Sequence, residues 1–417
     1  MTGRRVRSVC AAVLASVTLS GCWLYSGGDA GNTRSNPLES TLTVATVGTL
    51  TELWSYETTG SGLSEAIVTG DRVFVEHRDP EVQVTALVRS TGAPVWSQSL
   101  NAAGDTVMMD QPVTFAGGEL WASWAGIPAD GDGCASRQVR LDPDDGTIVG
   151  DEALPAALRA PAEHEGMIAQ KVWPSCGSGD AQLVVRAGDT FATVWTAEQQ
   201  FWLESPVALS GGHVYVASGS SVYAYALVGC GEPTREPVWT VDLGRHVGQD
   251  LVATAGGQLI VTVGPSSFGL TDEQVWSVSA ATGAVSWRAT LDADHGALAT
   301  SGDRVFVAPS GTGAGVGTVR AYAADGCGGA ATCSPVWSAT VGPSAGSPTV
   351  AGGVVYVPTT GGAVRAYAAD GCGATTCSEL ATVTVPGDVR GVSVAFGRLF
   401  VSSATSPGGA LTVFEPR

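Results

Sequence analysis

A short apolar strand behind a tight turn recurs along this chain at nearly constant spacing, and that recurrence limits the possible folds more than any other feature. The copies are DRVFV around Phe74, GELWA around Trp121, GMIAQ around Ile168, GHVYV around Tyr215, GQLIV around Ile260, DRVFV around Phe306, GVVYV around Tyr356 and GRLFV around Phe400. Their intervals are 47, 47, 47, 45, 46, 50 and 44 residues. A unit of this size cannot bury its apolar face alone, so the 417 residues form one repeat domain instead of several independent ones.

In the first unit EAIVTG enters DRVFVEH through Gly70-Asp71; VQVTALV follows, and then APVWSQSL after Thr91-Gly92. Four short antiparallel strands per unit predict an all-β fold, an eight-bladed β-propeller of four-stranded blades. The last unit has three strands, GVSVAFG, RLFVSSA and ALTVFEP, before the chain ends. LTELWSYE, Leu50 to Glu57, is predicted to supply its missing outer strand, which closes the ring and removes an open edge. Abundant glycine (56 residues) and few charges (14%) suit such a chain of strands and turns.

The first residues read as an address. Arg4, Arg5 and Arg7 precede an apolar run, Val9 to Leu19, too short to span a bilayer but suited to a signal peptide. It ends in Leu19-Ser20-Gly21-Cys22, which resembles the lipobox of bacterial lipoproteins; the resemblance implies that Cys22 becomes the acylated N-terminus. The expected organisation is a signal peptide over 1–21, a flexible tether over 22–45, rich in small and polar residues, and the propeller over 46–417. The protein is then expected on the outer face of the cell membrane, held by its N-terminal lipid. Losing three arginines and no acids with residues 1–21 takes the formal charge from −18 to −21, which excludes nucleic acid as a partner.

Export places the remaining cysteines in an oxidising compartment. DGCGGAATC and DGCGATTC predict two local disulfides, Cys327 with Cys333 and Cys372 with Cys377. Cys134 and Cys176 fall in equivalent loops of adjacent units and are expected to join two blades, leaving Cys230 over.

Trp54, Trp96, Trp195, Trp239, Trp287 and Trp337 occupy the outer-strand position in six of the eight units. With ALVRSTGAPVW and SVSAATGAVSW they resemble the Ala-x-Asp-x-x-Thr-Gly-x-x-x-Trp docking motif of the pyrroloquinoline-quinone (PQQ) repeat family. The resemblance implies that each Trp packs on the Thr-Gly turn of the neighbouring blade. Two units depart from it: the second has Gly150 in place of Trp, and the seventh lacks Trp around Leu380. Looser blade contacts are expected at both. In plan the chain is similar to the BamB-like lipoproteins of that family.

Members that are PQQ-dependent dehydrogenases imply a cofactor stacked on a disulfide of adjacent cysteines, a calcium ion and an aspartate base. This chain has no adjacent cysteines, and no cofactor or catalytic residue is assigned. GPSAG, Gly342 to Gly346, matches a hydrolase pattern but lacks the strand-to-helix turn that gives it meaning. PADGDGC, LDPDDG and EHEG cluster carboxylates without full ligand spacing and read as turns, so no metal is assigned.

Loops leading into the inner strands surround one mouth of a propeller's channel. There Glu65, Gln111, Arg245, His246, Asp250, Asp294, His295, Asp388 and Arg390 are expected to line a polar funnel. The expected function is a non-catalytic, monomeric binding platform for a protein or cell-wall partner. The alternative is an enzyme using the funnel acids, either a degenerate PQQ-dependent dehydrogenase or a hydrolase.

Overall fold

The computed structural model describes residues 21–60, 63–129, 135–152, 161–172, 181–201, 205–229, 231–254, 256–264, 272–291, 296–309, 317–342 and 346–417. Among them the side chains of 108–111, 135–136, 152, 200 and 249–250 are not described. The described residues form eight small sheets, each a meander of four antiparallel strands, and two sheets gain a two-residue fifth strand. Blade 1 consists of Ile67–Val68, Arg72–Arg78, Val82–Val88 and Pro94–Ser99, from the channel outward. The eight repeat-marking residues, Phe74 through Phe400, lie on second strands and are all buried, because this strand has a sheet neighbour on each side and a blade on each face.

Blade 8 closes the ring as the repeat count requires. Leu50–Thr58 pairs with Gly409–Pro416, with Trp54 opposite Val413. Two faces result. One carries the hairpins between first and second strands and the turns between third and fourth, and is called the hairpin face below. The other, the loop face, carries the connections between blades and those between second and third strands.

The six outer-strand tryptophans dock as the repeat resemblance implies. Each indole donates to a backbone carbonyl in the hairpin-face turn of the next blade: Trp54 to Arg89 (3.0 Å), Trp96 to Pro143 (3.2 Å), Trp195 to Leu227 (2.9 Å), Trp239 to Ala280 (3.1 Å), Trp287 to Ala324 (3.0 Å) and Trp337 to Ala369 (3.0 Å). Where a glycine lies under the ring it is there for want of space. At Gly92 φ is +70° and an added Cβ would stand 2.4 Å from the Trp54 ring.

The disulfides Cys327–Cys333 and Cys372–Cys377 form within such turns in blades 6 and 7. Their loops also bond the outer strand of the preceding blade: Cys333 N–H donates to Arg288, and Cys377 N–H to Ser338. Thr234–Arg235 of blade 4 does the same to blade 3, pairing in parallel with Thr196 and Ala197. There the Arg235 guanidinium lies 4.8 Å over Trp195, in the place that Cys333 takes beside Trp287. Cys134, Cys176 and Cys230 lie outside the described residues.

The expected looseness at the two units lacking Trp is not found. Between blades 2 and 3 the ring comes from the opposite side of the joint: Phe191 stands in the turn position that glycine holds elsewhere, with φ +57°. It packs 5.1 Å from Trp121 and under the Arg140 guanidinium at 3.9 Å, and Arg140 in turn pairs with Glu119 at 2.9 Å. Gly150 is small because Arg140 fills its space; a Cβ there would meet the guanidinium at 2.3 Å. Phe191→Gly should therefore lower the urea midpoint, Gly150→Trp should lower it by collision with Arg140, and the two together should cost less than their sum, a coupling of roughly 1–2 kcal/mol in a double-mutant cycle.

Between blades 7 and 8 there is no turn to dock on, because the third-to-fourth connection of blade 8 is replaced by the two arms of the chain. The joint is filled instead by Leu42 and Val47, both buried among Val383, Val389 and Phe414.

The largest departure is at the N-terminus. Residues 22–45 do not form a flexible tether: Trp23, Tyr25, Asn36, Glu39 and Leu42 are buried. The segment coils inside the hairpin-face end of the channel and bonds the inner strand of every blade in chain order. Trp23 exchanges two backbone hydrogen bonds with Val68 of blade 1, and Leu24 accepts from Phe115 of blade 2. The Tyr25 hydroxyl takes the Glu163 N–H of blade 3 at 3.2 Å. Ala30, Gly31, Thr33 and Arg34 then accept from Leu209, Ala253, Thr300 and Val350 of blades 4 to 7. Asn36 donates its amide to Val394 of blade 8 at 2.9 Å and to Gly21 at 3.0 Å, which closes the coil on itself. The physical reason is that a propeller's inner strands have unpaired edges facing the channel, and a chain of small residues fits close enough to satisfy them.

Candidate functional site

The coil occupies the hairpin-face end of the channel, and the described funnel residues divide between that end and the loop face. Glu65, just before the inner strand of blade 1, is buried and turned toward the coil. It accepts from the Trp23 indole at 2.8 Å and from Arg34 at 3.2 Å, with Ser26 at 3.4 Å. Burial raises its pKa above the ordinary carboxylate range, against the opposing pull of Arg34. Asp29, within the coil, is likewise raised by burial, against hydrogen bonds from Thr33 and Gly31.

Both carboxyls bind the proton more tightly in the folded state than in the unfolded chain. The stabilisation this gives is complete below about pH 4 and is lost as the pH rises through the raised folded values. Glu65→Gln should therefore gain stability relative to the wild type between about pH 4 and pH 7; parallel urea midpoints for the two proteins across that interval check this.

Toward the loop face, Arg245 pairs with Asp272 at 3.2 Å. His246 begins the inner strand of blade 5 and is partly buried. Asp388 accepts from the Gly361 N–H at 3.1 Å, and Arg390 is exposed on the same strand. Gln111 and Asp250 lie on inner strands, their side chains outside the described ones, and Asp294 and His295 lie outside the described residues. The structure thus turns Glu65 toward the coil and leaves the other described members as two pairs, Arg245 with His246 at blade 5 and Asp388 with Arg390 at blade 8.

The carboxylate clusters resolve into turn chemistry. In LDPDDG, Asp142 accepts from Asp144 N–H and Asp145 from Thr147 N–H, each at 2.8 Å, and the turn receives Trp96. In EHEG, Glu163 accepts from Gly117 N–H and meets Tyr25 of the coil. Most of PADGDGC, 130–134, and the centre of GPSAG, 343–345, lie outside the described residues. Among the described residues no three His, Cys, Asp or Glu side chains gather as metal ligands.

A quinone cofactor of the kind the family resemblance implies would need a stacking disulfide facing the channel. The two described disulfides lie instead in turns toward the outer strands, where Cys333 and Cys377 pack with Trp287 and Trp337. No two cysteines of this chain are adjacent, so none of its disulfides, that of Cys22 included, is of the kind the resemblance implies, and the described residues do not fit that group.

Cys22 is disulfide-bonded, with a partner outside the described residues. One sulfur cannot also carry the thioether that the lipobox resemblance implies.

Residues 224–326 match a family model described as outer membrane protein assembly factor BamB. That stretch contains Trp239 and Trp287 together with the turns on which they dock. No curated protein matches the chain.

Solved structures share the fold at low identity. A quinohemoprotein alcohol dehydrogenase from Pseudomonas putida is 13% identical, with a TM-score of 0.66 over 98% of this chain and 83% of that one. A europium-containing methanol dehydrogenase is 12% identical, with a TM-score of 0.67 over 95% of this chain and 98% of the other. BamB from Moraxella catarrhalis is 17% identical, with a TM-score of 0.58 over 88% of this chain and 99% of that one.

Proposed function

With the PQQ-like eight-bladed propeller as premise, we propose that this chain is an exported, non-catalytic binding platform, anchored by its N-terminus at the outer face of the cell membrane and engaging a protein or cell-wall partner through its loop face. The observation that carries the reading is the coil of residues 21–36. It fills the hairpin-face end of the channel and engages Glu65, Asp29 and Glu163 in internal contacts. The polar groups left for a partner are then those of the loop face, such as Asp388 and Arg390. The likeness to BamB supports a scaffold role, and that to the dehydrogenases supports the rival reading of an enzyme.

Adding PQQ with calcium separates the two. A platform shows no change in melting temperature, whereas an enzyme binding the cofactor at a hundred times its Kd gains about 2.7 kcal/mol. Crosslinking in intact cells from Arg390 should capture a partner, and Asp388→Ala with Arg390→Ala should lose it; an unchanged catch counts against the loop face. Anchoring rests on the basic, apolar and LSGC pattern of residues 4–22. The mass of the N-terminal peptide tests the anchor: an acylated Cys22 supports a lipid, an uncleaved N-terminus with Cys22 in its disulfide supports the run Val9 to Leu19, and a chain cleaved after residue 21 without lipid overturns anchoring.

A further inference from the structure

The position of the chain's start fixes which way the domain faces. Trp23, one residue after Cys22, is fully buried at the hairpin-face end between the inner strand of blade 1 and Glu65, and where residues 1–21 remain Gly21 is held beside it by the Asn36 amide. Slack between Cys22 and the packed domain is therefore at most one residue, roughly 3.5 Å, where the expected tether of some twenty residues would have allowed any orientation.

Beside the exit two apolar side chains stand exposed. Leu38 is 59% exposed and stands against Gly21, and Val44 is 45% exposed beside the blade 7 hairpin at Gly353.

We propose that the propeller lies face down on the bilayer: the hairpin face, with Leu38 and Val44 beside the exit, rests on lipid headgroups, and the loop face points away from the membrane. The inference rests on the anchored reading above. It holds whether the hydrophobic group is an acyl chain on Cys22 or the uncleaved run Val9 to Leu19, because both precede the same exit. The contact follows from the short connection and does not require the acidic chain to attract lipid, since a formal charge of −18 opposes binding to anionic headgroups.

Blade 1 offers a matched pair of exposed probes, Ser90 in a hairpin-face turn and Ala103 in the loop toward blade 2. Strands of about seven residues separate the two faces by about 20 Å. The full protein, purified from membranes and reconstituted in vesicles carrying headgroup spin labels, is compared with a fluorophore at either position. Several-fold stronger quenching at Ser90 than at Ala103 is expected. A variant with a twenty-residue Gly/Ser insert after Cys22 should lose that difference while still floating with the vesicles. Equal quenching in the parent protein, or stronger quenching at Ala103, overturns the orientation. Failure of the parent protein to float overturns the anchored reading itself, so the two failures are told apart.

Discussion

Trp23→Ala should destabilise the whole propeller by about 3–5 kcal/mol, the range for removing a fully buried large aromatic. Its ring is 0% exposed and packs in one cluster with residues of blades 8, 1 and 2, including Phe400, Phe74 and Val113. Its indole is also a hydrogen-bond donor to the buried Glu65, so truncation leaves a carboxyl short of a partner in a place water reaches poorly. Urea unfolding followed by the remaining tryptophans reads the loss directly. Were residues 22–45 a flexible tether, the same substitution would leave the midpoint unchanged.

The second large effect lies on the circumference. Trp337 is 1% exposed, between Phe306 of its own blade and Tyr367 of the next, and its indole donates to Ala369 at 3.0 Å. Trp337→Ala should cost about 3–5 kcal/mol through lost burial and the cavity left behind. Trp337→Phe should cost less, about 1–2 kcal/mol, because most of the packing survives and the unpaired carbonyl is the main loss. Chemical denaturation of the three proteins separates packing from hydrogen bonding at a blade joint. Ala381 holds the corresponding position in blade 7, opposite Ala366. Ala381→Trp is expected to bring no gain, since the joint beyond it offers Leu42 and Val47 in place of a turn.

The blades were readable because their signals are local and repeated. A buried second strand every 44 to 50 residues, a turn glycine and a tryptophan each leave a mark in the sequence that one unit confirms for the next. The two short disulfide loops were readable for the same reason. The coil was not, because its composition points both ways. Small and polar residues mark a flexible linker, and they are also what a chain needs to run against eight strand edges by backbone contact. Gly31 shows this: an added Cβ would meet the Ala253 carbonyl at 3.0 Å. Asn32 and Arg34 adopt positive φ of 54° and 52°, a conformation that no periodicity reveals.

Compensation at the blade joints was hidden in another way. Gly150 reads as a missing tryptophan, while Phe191, its counterpart on the facing turn, lies 41 residues away in a unit that otherwise keeps the pattern. Only the packed joint shows that one ring was moved across it. The funnel was less legible. Asp388 and Arg390 stand exposed at the start of the inner strand of blade 8, whereas Glu65, just before that of blade 1, carries its charge in the same way and points into the coil.

Because the coil meets the inner strands in turn, in the order in which the strands are made, it acts as a gauge of copy number. Repeat families grow and shrink by duplicating or losing whole units, and a bare ring could absorb such a change by adjusting its radius. Here a ring of seven or of nine sheets would leave a backbone partner stranded between Trp23 and Asn36, or an inner edge with nothing to meet. The fourteen residues from Trp23 to Asn36 are thereby matched to eight units, and any recombinant that alters the tally must rewrite them as well.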